Sequence, residues 1–193
     1  DGQRILTASA DKTAKVWDAV TGRELMTLTG HDSEVRSAAY SADGQRIVTA
    51  GGGDKTAKVW DAVTGKELRT LKGHDGGVIS AAYSPDGARI VTASGDKTAK
   101  VWEADTGQEL MTLTGHDDMV LSVAYSTDGE LMVTACGDKT AEVWDAVTGK
   151  EVRTLKGHDG GVISAAYSPH GARIVTACGY KTAKVLASNT RQE

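Results

Sequence analysis

A histidine, a threonine and an aspartate recur as a set along this chain. They stand as His31, Thr49 and Asp54, as His74, Thr92 and Asp96, and as His116, Thr134 and Asp138. A tryptophan closes each set, at Trp60, Trp102 and Trp144. Threonine, histidine and aspartate are the residue types of a nucleophile, its base and the group that orients the base. A catalytic constellation, however, needs one open pocket, whereas this one is repeated in successive units. The repetition argues for a structural role and against an enzyme.

The elements that must position these residues repeat with them. Gly-His begins at residues 30, 73, 115 and 157, and Trp falls at 17, 60, 102 and 144. The intervals are 43, 42 and 42 residues, the longer one owing to an extra glycine in Gly51-Gly52-Gly53. A period of this length marks a repeat architecture. Within one unit the sequence predicts four short strands: 35–40, 46–49, 57–60 and 67–71. They are rich in Val, Ile, Thr, Trp and Tyr and are bounded by Asp-Gly, Asp-Lys-Thr and Thr-Gly links. No stretch sustains a helical period, so an all-β protein is expected.

Gly-His opening each unit, Asp in its middle and Trp-Asp near its end resemble the WD40 repeat, and the resemblance covers the whole chain. It implies a β-propeller of four-stranded antiparallel blades. The blades fall at about 1–29 (incomplete), 30–72, 73–114, 115–156 and 157–193 (incomplete and degenerate). It also implies that the twelve residues above form a buried hydrogen-bond network inside each blade. In that network the Trp N–H donates to Thr, Thr bonds His, and the other His nitrogen meets Asp. A polar group buried between blades must find such partners or cost a few kcal/mol.

The last unit has drifted. Tyr180 stands where Asp is expected, and Leu186-Ala187 replaces Trp-Asp. Residues 62–100 and 146–184 otherwise differ only at Leu68/Val152, Asp86/His170, Ser94/Cys178 and Asp96/Tyr180, which reads as recent duplication. His170 is then a drifted turn residue rather than a ligand. Such near-identity between units resembles bacterial WD40 arrays.

Strands arrive as three, then three sets of four, then three, which is short of a comfortable ring. Three arrangements fit. The chain is part of a longer propeller, copies complete one another's rings through edge strands, or residues 24–28 move beside 161–187 and close four blades. The first two are favoured, because an open arc leaves unpaired strand edges. Asp1 lies inside a repeat and is not an initiator Met, which reads as a fragment.

The resemblance implies partner binding on the face built by the loops that enter the inner strands. The candidate residues there are Asp32, Glu34, Arg36, Asp75, Asp117, Asp118, Met119 and Asp159. An aspartate follows every Gly-His, so an acidic rim suited to a basic peptide is expected. Arg36 and Met119 break the repeat symmetry, Arg36 standing where Ile79, Leu121 and Ile163 stand elsewhere. Lys12, Lys55, Lys97, Lys139 and Lys181 approach the same rim.

Composition narrows the partners. The 193 residues carry 22 Lys and Arg against 26 Asp and Glu, a net charge of −4. That argues against nucleic acid, which needs a strongly basic face. Tyr40, Tyr83, Tyr125 and Tyr167 share one repeat position, which reads as packing rather than base stacking. No apolar run approaches the ~20 residues of a membrane span. Two Cys exclude a disulfide scaffold and favour a reducing, cytoplasmic setting. Cys136 and Cys178 lie at equivalent places in neighbouring sheets, about 10 Å apart against the ~7 Å limit of a disulfide, so free thiols are expected. One histidine per unit suggests no metal site, and no cofactor motif occurs. The reading is a non-catalytic interaction scaffold for proteins or peptides, or else a repeat array that assembles with its own copies.

Overall fold

Short β-branched runs between Asp-Gly and Thr-Gly turns fold as antiparallel meanders. The computed structural model describes residues 2–188. Its first sheet holds β1 (Arg4–Ala8), β2 (Thr13–Asp18) and β3 (Glu24–Thr29). The second holds β4 (Val35–Tyr40), β5 (Arg46–Gly51), β6 (Thr56–Asp61) and β7 (Glu67–Lys72). The third holds β8 (Val78–Tyr83), β9 (Arg89–Ser94), β10 (Ala99–Glu103) and β11 (Glu109–Leu113). The fourth holds β12 (Val120–Tyr125), β13 (Leu131–Cys136), β14 (Ala141–Asp145) and β15 (Glu151–Leu155), and the last β16 (Val162–Tyr167), β17 (Arg173–Cys178) and β18 (Thr182–Ala187). Each sheet is hydrogen-bonded in chain order, and the described residues contain no helix. These are three complete blades flanked by two three-stranded ones.

Blades stack in sequence through their first strands, β1 on β4, β4 on β8, β8 on β12 and β12 on β16. Strands β5, β9 and β13 are buried along nearly their whole length, as strands covered on both faces must be. The apolar clusters straddle the joints. One unites Val48, Val59 and Leu71 of the second blade with Val78, Ile90 and Trp102 of the third. Another unites Val101 and Leu113 of the third with Val120, Met132 and Trp144 of the fourth. Trp60, Trp102 and Trp144 therefore each serve a blade and the joint behind it. At the end of the blades away from the Gly-His loops, Arg46 pairs with Asp105 at 2.6 Å, and Arg89 donates to the Ala146 carbonyl at 2.7 Å.

The recurring tyrosines are packing residues. Tyr83 and Tyr125 are buried, and the hydroxyls of Tyr83, Tyr125 and Tyr167 make no hydrogen bond among the described residues. Burial pushes the Tyr83 and Tyr125 hydroxyls above their ordinary pKa.

Closure by a transposed fourth strand does not occur. β3 stays paired with β2, from Thr13↔Thr29 to Trp17↔Glu24, so residues 24–28 are not free to join β16–β18. The terminal blades consequently leave apolar faces open. Ile5 is 51% exposed, Ile163 52% and Val185 63%, while the internal equivalents Ile47 and Val101 are fully buried.

Close backbone approach decides which joint glycines tolerate a side chain. A Cβ on Gly77 would lie 2.3 Å from the Gly52 carbonyl oxygen of the preceding blade, whereas one on Gly95 meets nothing nearer than 3.7 Å. Gly77→Ala is expected to destabilise the chain by about 1–3 kcal/mol, as overpacking does. Gly95→Ala is expected to leave the thermal midpoint within a degree or so of wild type. Equal midpoints for the two variants would refute the contact.

Candidate functional site

Each network is assembled from four places in one blade. The histidine arrives on the loop before the inner strand, the threonine on the second strand, the aspartate on the following turn and the tryptophan on the third strand. In the second blade His31 Nδ1 lies 2.6 Å from Asp54 Oδ2, and His31 Nε2 lies 2.7 Å from Thr49 Oγ1. Trp60 Nε1 donates to Thr49 Oγ1 at 2.8 Å. In the third blade the same distances for His74–Asp96, His74–Thr92 and Trp102–Thr92 are 2.7, 2.8 and 2.9 Å. In the fourth they are 3.3 Å for His116–Asp138, 2.7 Å for His116–Thr134 and 2.8 Å for Trp144–Thr134. Because Trp donates to threonine, the threonine hydroxyl proton is free to go to His Nε2. The protonated Nδ1 then donates to the aspartate.

Electrostatics fit this assignment. Burial pushes His74 and His116 below their ordinary pKa, favouring the neutral ring. Burial opposes ionisation of Asp96, but hydrogen bonds from Thr98 and His74 outweigh it and hold the carboxyl down to about 2. The histidine side chains are almost fully buried and the aspartates nearly so.

The aspartate also pins the loop above it. Asp54, Asp96 and Asp138 accept the backbone N–H of Asp32, Asp75 and Asp117. Their other oxygens accept Thr56, Thr98 and Thr140. This turn, Asp-Lys-Thr in four copies and Tyr-Lys-Thr in the last, holds its lysine in the left-handed region, with φ between 60° and 76° at Lys12, Lys55, Lys97, Lys139 and Lys181. Lys97 reaches across to the Asp117 carbonyl at 2.9 Å.

The rim residues lie as follows. Asp32, Asp75, Asp117, Asp118 and Asp159 are exposed, and Met119 is 46% exposed. The carboxylates of Asp32, Asp75, Asp117 and Asp159 accept no hydrogen bond or ion pair among the described residues. Asp118 differs, accepting the Met119 N–H at 2.7 Å. Glu34 is paired with Arg36 at 2.8 Å, and Ser33 together with Arg36 holds the Glu34 carboxyl down to about 2. Arg36 is the unpaired residue of a β-bulge, since Val35 faces Gly51 and Ser37 faces Ala50. Ile79, Leu121 and Ile163 occupy the same bulge in their blades. A bulge re-aims its side chain, and sequence reading of the inner strand as regular missed it.

The fifth blade adapts to its lost aspartate. His158 Nε2 still meets Thr176 at 2.8 Å, but Nδ1 turns to Thr182 Oγ1 at 3.2 Å. Tyr180 lies over Gly160 instead, where a Cβ on the glycine would overlap its ring.

Two features of the fourth blade correct the sequence reading. His116, Cys136 and Asp138 place donor atoms within 4.8 Å of one another, a close His/Cys cluster that one histidine per unit did not suggest. Folding brings together residues 20 apart in sequence. All three donors are already engaged inside the blade, Cys136 Sγ donating to the Asp118 carbonyl at 3.2 Å. Burial pushes the Cys136 thiol up to about 12, and both cysteines are free. The second feature is Glu142, which replaces the lysine of Ala-Lys-Val-Trp and is buried. The signal was visible in the aligned repeats as Ala-Glu-Val-Trp.

Comparison with known proteins follows this geometry. A family model described as WD domain, G-beta repeat matches residues 1–18, 22–61, 65–103, 107–145 and 149–185. Nuclear distribution protein PAC1 of Mycosarcoma maydis is 46% identical over 48 residues, which is 25% of this chain and 11% of that protein. The human serine-threonine kinase receptor-associated protein is 47% identical over 51 residues, 26% of this chain and 14% of that protein. The Lissencephaly-1 homolog of Heterostelium pallidum is 43% identical over 47 residues, 24% of this chain and 11% of that protein. The matched stretches thus span only about a tenth to a seventh of these relatives. With five matched repeats, a blade-by-blade meander and a Trp–Thr–His–Asp network in each complete blade, the chain belongs to the WD40-repeat family.

Proposed function

We propose that the chain is a non-catalytic interaction scaffold that binds a protein or peptide partner on its acidic loop face. One observation carries this reading. The Gly-His-Asp loops at Asp32, Asp75 and Asp117 are pinned by the network beneath them, while the carboxylates of Asp32, Asp75, Asp117 and Asp159 remain uncommitted. Such preorganised rim charge governs on-rate and partner choice for a basic ligand. Family membership favours a protein-binding role, and the printed name of the kinase receptor-associated relative points the same way.

The test compares wild type with the triple variant Asp75→Asn, Asp117→Asn, Asp159→Asn in binding a lysine- and arginine-rich peptide. The triple variant is expected to lose about tenfold in association rate at low salt, with the difference shrinking as salt rises. Glu130→Gln, in a turn at the opposite end of the fourth blade, is the control. Equal rates for all three proteins would overturn the acidic face as the binding surface.

A second reading is favoured by the exposed Ile5, Ile163 and Val185 at the terminal blades. These faces match surfaces that inside the chain receive another blade, so they suit a further WD40 blade, here from a second copy. Light scattering after size exclusion is expected to give a small multiple of 20.1 kDa. A monomer at tens of micromolar refutes self-assembly.

A further inference from the structure

Position 142 reverses the charge of a recurring ion pair. Lys15 sets its ammonium 2.6 Å from Glu24, Lys58 lies 2.9 Å from Glu67, and Lys100 lies 2.9 Å from Glu109. In the second and third blades a threonine completes the seat. Lys58 Nζ donates to Thr70 Oγ1 at 3.0 Å, and Lys100 Nζ to Thr112 Oγ1 at 2.9 Å. Both lysine side chains are 12% exposed, so the ammonium sits in a largely shielded place.

The fourth blade keeps the glutamate and the threonine of this seat but has no lysine between them. Glu151 and Thr154 hold the positions of Glu109 and Thr112 and are hydrogen-bonded to each other. Glu142 stands where the lysine stands elsewhere. Its side chain is 8% exposed, and its Oε2 makes no hydrogen bond. His116 Nε2 is 3.4 Å from that oxygen, and in the tautomer assigned above, with Nδ1 donating to Asp138, it accepts the Thr134 hydroxyl. Glu142 Oε2 instead fills the space beside Gly-His that a fourth-strand glutamate fills in the sister blades. A Cβ on Gly73 would meet Glu109 Oε2 at 3.1 Å, and one on Gly115 would meet Glu142 Oε2 at 3.7 Å. Asp117 and Asp138 add negative field, and Lys156 opposes it. A buried carboxylate with an open lone pair is costly until a cation reaches it.

We infer that Glu142, Glu151 and Thr154 form a socket for an alkylammonium group from outside the chain, supplied by a lysine side chain of the bound partner. The ligand class comes from the sister blades, where a glutamate and a threonine in the same register already hold a –NH₃⁺ group. The inference rests on the loop-face reading above and adds the partner's chemistry, a lysine that enters beside Asp117 of the fourth blade. A partner lysine would restore the pairing that the second and third blades make internally.

The experiment uses the full chain alone, at pH 8.5, so it stands apart from the rim-carboxylate test. Thermal midpoints are measured with butylammonium chloride, with tetramethylammonium chloride at equal ionic strength, and with an acetyl-Gly-Lys-Gly-amide peptide. Butylammonium and the peptide at a few times their Kd are each expected to raise the midpoint of wild type by about 2–4 °C beyond tetramethylammonium. Glu142→Lys, which copies the sister blades, and Glu142→Gln are expected to lose that increment. An increment equal in wild type and Glu142→Lys, or none in wild type, overturns the socket. Stabilisation by butylammonium but not by the peptide overturns the partner lysine in favour of a free amine. Stabilisation by 1 mM calcium chloride with no response to either amine overturns it in favour of a metal-ion site.

Discussion

Trp102→Ala is expected to lower the stability of the chain by about 3–5 kcal/mol, the range for truncating a buried aromatic core residue. The side chain is 2% exposed and lies in the cluster that joins the second and third blades. Truncation removes the indole from Val59 and Leu71 of one blade and from Val78 and Ile90 of the next. It also deprives Thr92 of its donor and His74 of an edge-on ring contact at 6.1 Å. In stacked repeats stability is roughly the sum of repeat and interface contributions, so damage at a joint weakens cooperativity as well as stability. Urea unfolding followed by Trp fluorescence is expected to show a lower midpoint and a broader or split transition. Trp102→Phe separates the two roles, because it keeps most of the apolar body and loses the N–H. Its loss is expected to fall to about 1–3 kcal/mol, the cost of orphaning a buried hydrogen-bond partner. An unchanged midpoint for Trp102→Ala would refute the burial of the indole.

Glu142→Gln is expected to stabilise the chain above pH 8 and to change it little near pH 5. Burial, followed by the charges of Glu151, Asp138 and Asp117, raises the Glu142 carboxyl from its ordinary 4.5 to about 7. The folded chain therefore binds a proton that the unfolded chain has released between those two values. The contribution of this protonated carboxyl is fully present below pH 4.5 and is lost as pH rises through about 7. A displacement of that size corresponds to a ceiling of about 3 kcal/mol. Neighbouring groups relax, so a gain of about 1–2 kcal/mol at pH 8.5 is the working expectation. Glu142→Lys should gain at least as much, because it also meets Glu151. Urea midpoints from pH 4.5 to 9 provide the measurement. Wild-type and Glu142→Gln curves that stay parallel across that range would refute a strained carboxylate at this position.

Most of the fold was legible in the residues because the repeat spells out each element several times. Four copies of Gly-His and of Trp set the strand register, and the Asp-Gly and Thr-Gly links set the turns. The network was legible for the same reason, with Thr92, His74, Asp96 and Trp102 meeting in the order the resemblance implied. Other features escaped because they depend on backbone geometry or on a single copy. The bulge at Arg36, Ile79, Leu121 and Ile163 has no marker residue, since an Arg and three aliphatics occupy it. The extra glycine of Gly51-Gly52-Gly53 reads only as one residue added to the repeat. In the structure this loop lies under Ser33, Glu34 and Arg36, which a side chain on Gly52 or Gly53 would strike. Glu142 was overlooked because a single charge reversal in a surface-like Lys-rich pattern reads as drift. Only the fold reveals that its lysine counterparts are shielded and paired.

The left-handed lysines have a consequence at the scale of the whole array. A non-glycine residue in that conformation costs roughly 1–2 kcal/mol, and glycine escapes it for an entropic cost of about 0.5–1 kcal/mol. Within one blade the exchange gains only about 0.5–1 kcal/mol. The same turn, however, is copied at residues 12, 55, 97, 139 and 181, and costs at well-separated sites add. Duplication therefore amplifies local strain as faithfully as it amplifies good packing. A modest correction to the repeat's shared wording, applied in every copy, becomes a large correction to the molecule.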